Sequence, residues 1–333
     1  MKIQRHTNHH GIQVMRMQQI TTASLVSSVT IWAVHFWPSS PSMAIGGSLI
    51  FLFAYSGVLA VEFLASAKVN RHEPTPIANR QEWLKAWWGE TCLAPQIFCW
   101  RQPFRAHQVR DELIGKHLVG QRGVVFVHGL ICNRGFWTPW LKRLNDKSHM
   151  SHAFIAITLE PVFGSIDAYG DQIAMAVQLV TKATGQPPIL VCHSMGGLAV
   201  RAWLVRQPTF TCVHHVVTIG TPHHGTWLAR FALGVNGRQM RQGSDWLRQL
   251  ETPSTDTGLK PPNQPQSQQA SELFTCWYSN CDNIVFPAST AMLSGADNRF
   301  VQGAAHLQLA FMPEVMDTTL DMIIRGSKTD ESL

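Results

Sequence analysis

The stretch that most constrains this chain of 333 residues is 189–197, Ile-Leu-Val-Cys-His-Ser-Met-Gly-Gly. An apolar run ends abruptly on a serine flanked by a histidine and small residues. A helical pattern, Leu198-Ala199-Val200-Arg201-Ala202-Trp203-Leu204, begins at once. A short, continuously apolar run of this kind reads as a strand covered on both faces. A helix starting directly after it puts Ser194 in a sharp strand-to-helix turn, with its hydroxyl lifted above the sheet edge. The first turn of that helix offers unpaired N–H groups and a positive dipole end beside the hydroxyl. Gly196 and Gly197 let helix and strand approach without a Cβ between them. The arrangement suits a serine that attacks a carbonyl while backbone donors collect the developing negative charge.

Upstream, residues 123–127 (Gly-Val-Val-Phe-Val) form a second buried-strand run, ending in His128-Gly129-Leu130. Glycine lets the chain turn there, so the N–H of Leu130 can face the serine. The N–H of Met195 is the other expected donor of an oxyanion hole. His128 is expected to brace the loop rather than take part in chemistry. A serine hydroxyl needs a base to take its proton. After residue 282 the chain has a single histidine, His306, in Gly303-Ala304-Ala305-His306-Leu307. The acid that would orient it is less constrained: Asp245, Glu251, Asp256, Glu272, Asp282 and Asp297 all lie between Ser194 and His306. Asp282 is best placed, in the loop after the strand-like run 273–278. Asp297, in the turn-like Ser294-Gly295-Ala296-Asp297, is the runner-up.

With these residues in view, the chain resembles the α/β-hydrolase superfamily, and within it the bacterial triacylglycerol lipases and esterases. The resemblance spans about residues 120–312. It rests on Val127-His128-Gly129-Leu130, Cys192-His193-Ser194-Met195-Gly196-Gly197, Gly220-Thr221-Pro222-His223-His224-Gly225-Thr226, Asp282-Asn283-Ile284-Val285-Phe286-Pro287 and Gly303-Ala304-Ala305-His306-Leu307. The nucleophile elbow of that fold reads G-x-S-x-G, and here Cys192 replaces the first glycine. The resemblance implies an α/β fold with a mainly parallel sheet and helices on both faces. It also implies a triad in the order Ser194, Asp282, His306, and hydrolysis of a carboxylic ester through an acyl-serine intermediate. It leaves the substrate open. An acyltransferase with the same triad, and a non-catalytic binding protein on the same fold, remain alternatives. No cofactor is implied. The adjacent His223 and His224 have no carboxylate cluster beside them in sequence, and no metal site is assigned.

The coarse pattern alternates. Strands are expected at 123–127, 153–158, 188–192 and 213–219, and helices near 136–147, 168–184 and 194–206. A cap is expected over about 226–270: helical spacing from Trp227 to Leu250, then a Pro-, Gln-, Ser- and Thr-rich loop over 253–270. The hydrolase domain is expected over 120–328, and 76–119 as a linker or juxtamembrane region.

The front of the chain is different. Charged residues make up only 14% of the whole, against about a quarter in typical soluble domains, and part of the deficit lies here. Residues 43–67 contain one charge, Glu62, and are long enough to cross a hydrocarbon core of ~30 Å. A weaker candidate, 20–37, precedes them, and Pro38-Ser39-Ser40-Pro41-Ser42 separates the two. A transmembrane helical hairpin within an anchor of residues 1–75 is expected. Lys2, Arg5 and Arg16 flank one end and Lys68 and Arg71 the other, while the turn has no Lys or Arg. The positive-inside rule then puts both ends, and the hydrolase, on the cytoplasmic side of a bacterial inner membrane. The net charge of +6 is spread without dense basic runs, so nucleic-acid binding has no support. The expected partners are an ester or lipid substrate and the bilayer, with oligomeric state undetermined. Seven scattered cysteines without C-x-x-C spacing suit a reducing compartment, although Cys276 and Cys281 are close enough in sequence to bridge in an oxidising one.

Overall fold

Strand segments that are apolar on both faces need cover on both sides, and this requirement organises the molecule. The computed structural model describes residues 12–145, 152–251 and 271–326. Its sheet has six parallel strands, β1 (Val124–Val127), β2 (Phe154–Ala156), β3 (Ile189–His193), β4 (His215–Ile219), β5 (Phe274–Ser279) and β6 (Asp297–Val301), in the order β2-β1-β3-β4-β5-β6. The chain leaves β1 toward one edge of the sheet and leaves β3 toward the other. The carboxyl ends of β1 and β3 therefore flank the point where the winding reverses, which is where open α/β sheets bind ligands. The loop His128–Leu130 and Ser194 follow directly from those two ends.

The side-chain alternation of the strands divides the core into two layers. Val125 and Leu190 face one side with Ile173, Val177, Leu198 and Trp203. Val124, Phe126, Ile189 and Val191 face the other, with Trp137, Trp140 and Ile323. The nearest helices follow the chain as α1 (Ile12–Phe36), α2 (Pro41–Val69), α3 (Arg80–Pro95), α4 (Gln102–Arg105), α5 (Thr138–Leu144), α6 (Gly170–Thr184) and α7 (Met195–Leu204). α8 (Val235–Gln239), α9 (Asp245–Glu251), α10 (His306–Leu309) and α11 (Pro313–Gly326) complete the order. The observed strands and helices fall within one to three residues of most expected limits. The larger shift is at α5, where Arg134–Trp137 forms a tighter 3₁₀ turn before the helix proper.

The expected cap is helical over its described part. Leu247 and Leu250 of α9 are buried in the first layer, and Trp227 stacks on Phe286 at 5.6 Å. The loop expected over 253–270 lies outside the described residues.

α1 and α2 run antiparallel through a turn at Trp37–Ser40. Ser40 caps α2, its hydroxyl accepting from Met43 N–H, and Pro41 occupies the first helical position, where a missing N–H costs nothing. The indole of Trp32 donates to the Met43 carbonyl at 2.9 Å and joins the helices near the turn. Among the described residues one helix, over 41–72, is long and apolar enough to cross a membrane. α1 is long enough too, but Thr21, Thr22, Ser24, Ser27, Ser28 and Thr30 keep its composition short of that mark. It also starts well before the expected residue 20, and its first two turns are spent on polar contacts described below.

The stretch expected as a linker is largely helical. Asn79 and Glu82 form a reciprocal capping box at the start of α3, and the helix continues through a π-helical segment, Gln96–Arg101, into α4. Trp83 and Trp87 pack with Phe63 of α2 and with the buried Cys281 and Ala305, which follow β5 and β6, whereas Trp88 is 58% exposed.

Candidate active site

Ser194 sits between β3 and α7 with φ 54° and ψ −130°, a conformation that L-residues avoid. Local strain of this kind persists only where the surroundings enforce it. Here Ser194 N–H donates to the Ile219 carbonyl at 2.9 Å, and the Ser194 carbonyl accepts from Thr221 Oγ1 at 2.9 Å. The turn is thus pinned on both sides by the end of β4. Cys192 lies wholly buried in the first core layer, where a small apolar side chain serves in place of glycine.

The loop after β1 lies against the serine. A methyl group added to Gly129 would stand 2.8 Å from Ser194 Cβ, closer than two carbons approach, so only glycine allows this contact. His128 braces the loop. Its Nε2 accepts from Leu159 N–H at 3.0 Å, which leaves Nδ1 protonated and donating to the Gly129 carbonyl at 2.7 Å. Burial holds its pKa down at about 4, so the ring stays neutral in this role. Leu130 follows in the same turn. Met195 is the first residue of α7, where helical N–H groups have no acceptor within the helix.

Asp282 and His306 meet on the other side of Ser194. His306 Nδ1 lies 2.8 Å from Asp282 Oδ2, and both side chains are almost wholly buried. The second carboxylate oxygen, Oδ1, accepts from Ile284 N–H and Val285 N–H, each at 2.8 Å, which fixes the carboxylate plane. A Cβ on Gly220, one residue past the carbonyl that holds Ser194, would lie 3.1 Å from Asp282 Oδ2 and 3.2 Å from His306 Nδ1. The Asp282 and His306 side chains thus border the residue that follows the carbonyl holding Ser194. Among the described residues there is no hydrogen bond between Ser194 Oγ and His306 Nε2. Burial opposes charge on the His306 ring. The charge and hydrogen bond of Asp282 outweigh it, with help from Glu90 and Glu62, and hold the pKa above the ordinary histidine value. His193 lies beneath, its ring 4.6 Å from that of His306 and stacked on Phe136 at 4.5 Å. Burial and the neighbouring His306 hold its pKa well down.

The remaining candidates fall elsewhere. Asp297 opens β6 rather than a turn and pairs with Arg299 at 2.7 Å. His223 is buried against Thr218 and Cys276, while His224 reaches out to Glu251 at 2.8 Å, so the adjacent rings have separate partners.

Five side chains around the site were given no part in it from sequence. Asn283 Oδ1 accepts from His306 N–H at 3.3 Å, and its Nδ2 donates to Glu62 Oε2 of α2 at 2.8 Å. Glu90 of α3 accepts from Leu307 N–H at 3.0 Å and Gln308 N–H at 3.3 Å. Gln102 Oε1 accepts from Asn133 N–H at 2.8 Å in the loop after β1, and Gln18 of α1 donates both to that oxygen and to the Ile131 carbonyl. Only Glu62 carried a signal in the sequence, as the one charge in an apolar segment.

The model of the alpha/beta hydrolase family matches residues 124–322. The chain belongs to the alpha/beta hydrolase family. Among solved structures the chain is similar to lipase B of Aspergillus fumigatus, with 17% identity, a TM-score of 0.49, and coverage of 64% of this chain and 55% of that one. The match therefore spans about half the length of the Aspergillus lipase. It is similar also to the mature form of the Bacillus licheniformis lipase BlEst2 (18% identity, TM-score 0.49, 61% of this chain and 92% of that one). A third similar structure is the Bacillus subtilis carboxylesterase CesB (15% identity, TM-score 0.37, 62% and 84%). A comparison with curated proteins gives no match. The family match begins at β1, so the helices that bring Gln18, Glu62, Glu90 and Gln102 to the hydrolase site lie before it.

Proposed function

We propose that this chain is a membrane-anchored serine hydrolase that cleaves carboxylic esters with apolar acyl groups. The observation that carries the reading is the buried His306–Asp282 pair at 2.8 Å, which borders Gly220 one residue past the carbonyl that holds Ser194 at φ 54°. In the reaction the Ser194 oxygen bonds to the ester carbonyl carbon while its proton passes to His306 Nε2. The carbonyl oxygen becomes an oxyanion that accepts from the Leu130 and Met195 N–H groups. Collapse breaks the bond to the alcohol, which leaves with the proton from His306. Water, deprotonated by the same imidazole, then hydrolyses the acyl-serine. Asp282 holds the tautomer with Nδ1 protonated and stabilises the transient imidazolium.

The lipid-like substrate class is supported by how the N-terminal helices join the site. Ser66 near the end of α2 donates to the Asp282 carbonyl at 2.7 Å, and Gln18 near the start of α1 donates to the Ile131 carbonyl at 3.1 Å. Both rims of the site are thus tied to the same end of the hairpin. Residues 41–61 of α2 rise about 31 Å before Glu62 meets Asn283, close to the ~30 Å of a hydrocarbon core, with α3 joining at the lower end, where Tyr55 and Ser56 bond to Thr91 and Trp87. In α1, Thr21 and Thr30 return their hydroxyls to the carbonyls of Met17 and Val26, a local satisfaction that suits an apolar medium. On this reading the bilayer begins where the active site ends, and a membrane-dissolved ester reaches Ser194 without crossing bulk water. The basic flanks support a hydrolase on the cytoplasmic face.

A fluorophosphonate probe and a series of p-nitrophenyl esters of graded chain length test the proposal. The full chain should take up the probe, Ser194→Ala should not, and hydrolysis should favour longer acyl groups. Equal labelling of Ser194→Ala overturns the nucleophile assignment. A preference for acetate esters overturns the apolar acyl specificity.

A further inference from the structure

A catalytic histidine has to keep its ring in register through two proton transfers, and its backbone is held here from outside the hydrolase unit. Glu90 is 2% exposed and has no cationic partner among the described residues; its two oxygens receive the N–H groups of Leu307 and Gln308, the two residues after His306. Glu62 holds Asn283 at 2.8 Å, and Asn283 in turn receives the His306 N–H. One carboxylate comes from α3 and the other from the apolar helix α2, and they meet the His306 segment through different partners. A buried carboxylate without a cation is costly, and a neutral acceptor would satisfy the same N–H groups. What a neutral group cannot supply is negative charge near an imidazole that becomes a cation in the transition state.

We infer that Glu62 and Glu90 are positioning residues for His306: they clamp the backbone on either side of the base and favour its protonated form during the reaction. This rests on the serine-hydrolase reading above. The charged and titratable groups facing His306 are Asp282 from the β5–β6 loop, Glu90 from α3, Glu62 from α2 and His193 from β3. The groups facing Glu90 are His306 and Asp282. Through this clamp the membrane-proximal helix becomes a working part of the active site, beyond its part in attachment.

The test uses the full chain in detergent micelles with a soluble p-nitrophenyl ester, comparing wild type with Glu90→Gln, Glu62→Gln and Ser194→Ala. Each glutamine keeps an acceptor oxygen and removes the charge. For Glu90→Gln and Glu62→Gln we expect kcat to fall about 10-fold with KM unchanged, the scale of roughly one pKa unit in the base. The acid limb of kcat/KM should move to lower pH, because a less anionic surrounding releases the His306 proton more easily. Glu90→Asp should recover part of the loss if it restores the charge. A purely structural brace would leave the acid limb in place and show its loss in KM or melting temperature. If both glutamine variants match wild type in kcat and pH profile while Ser194→Ala is inactive, the clamp is overturned and the triad stands. If Ser194→Ala keeps its activity, the underlying reading has failed instead. Should Glu90→Gln not fold, Glu62→Gln carries the same measurements by itself.

Discussion

The two halves of the active site are built in different ways. The serine half belongs to the sheet: β3, the turn at Ser194, α7 and the end of β4 are joined through Ile219 and Thr221. The histidine half is a pair of loops whose carbonyls and N–H groups are satisfied largely by the N-terminal helices. Asp282, Asn280 and Ala288 bond to Ser66 and Asn70 of the α2 region, and Leu307 and Gln308 bond to Glu90 of α3. One half can be assembled by local sequence and strand packing. The other is completed only when residues more than 200 positions earlier arrive. The geometry around Ser194 is therefore intrinsic to the hydrolase unit, and that around His306 is shared with the N-terminal helices.

The largest expected effect lies on the intrinsic side. Ser194→Ala should lower kcat by at least ~10⁴-fold and abolish probe labelling, with the melting temperature little changed, because the hydroxyl makes no structural hydrogen bond. A residual rate within 10-fold of wild type would show that the elbow is not where the chemistry occurs. Gly129→Ala attacks the same half from above. The added methyl forces the loop away from Ser194, and with it the Leu130 donor, so kcat should drop ~10²–10³-fold, the usual scale for one oxyanion contact. Unaltered kcat would remove Leu130 from the oxyanion hole.

Deleting residues 1–75 tests the shared half. It removes Gln18, Glu62, Ser66 and Asn70 together and leaves buried groups of the acid loop without partners. If the comparison is right, the truncated protein should retain α7 and β3 packing but react with the fluorophosphonate ~10²-fold more slowly, the cost of about 1 Å of misplacement in a catalytic group. Full activity in the truncated form would mean the hydrolase is autonomous and the α2 contacts are incidental. Ser66→Ala is the mild version. Loss of one bond to the Asp282 carbonyl should cost about 1 kcal/mol, lowering the melting temperature by ~2–4 °C with a small change in kcat.

The same division explains what the sequence made legible. The elbow could be read because strand, turn and helix each have a local periodicity and meet at one residue. Asp282 and His306 could be read because an acid must follow a late strand and one histidine remained after it. The parallel sheet followed from continuous apolar runs, and most of its limits fell close. What was hidden is tertiary. Nothing in the neighbourhood of Glu90 sets it apart from a solvated helix residue until α3 is laid against α10, and Gln18 and Gln102 are ordinary glutamines until the loop after β1 comes between them. Glu62 was visible as an oddity but not as a partner of Asn283, because the spacing of 221 residues leaves no pattern in a single chain. Residues 76–119 suggested a linker for the same reason. Their polar, Trp-rich composition does not reveal that Trp83 and Trp87 cover Cys281 and Ala305.

The smallest effect is also the one that separates a charged clamp from a plain brace. Burial pushes the Glu90 carboxyl up to about 7, against an ordinary value of 4.5, and the Leu307 and His306 contacts only partly offset it. A carboxyl whose pKa is raised on folding is protonated in the native state where the unfolded chain has already released its proton. Its contribution to stability is therefore fully present below pH ~4.5 and is lost as the pH rises through 7, where ionisation is forced on a buried group. Glu90→Gln has no proton to lose. Whatever its constant offset from wild type, its melting temperature should gain on wild type by a few degrees between pH 5 and pH 8, and its kcat should fall behind as the pH rises through 7, where the wild-type carboxyl becomes charged. His306 adds a bias of the same sign. Its raised pKa favours the folded state at low pH in both proteins, and less so in the variant that has lost a neighbouring charge. A melting-temperature difference that stays flat from pH 5 to pH 8 would mean that Glu90 is ionised in the folded and unfolded chain alike, and that burial does not hold its proton on.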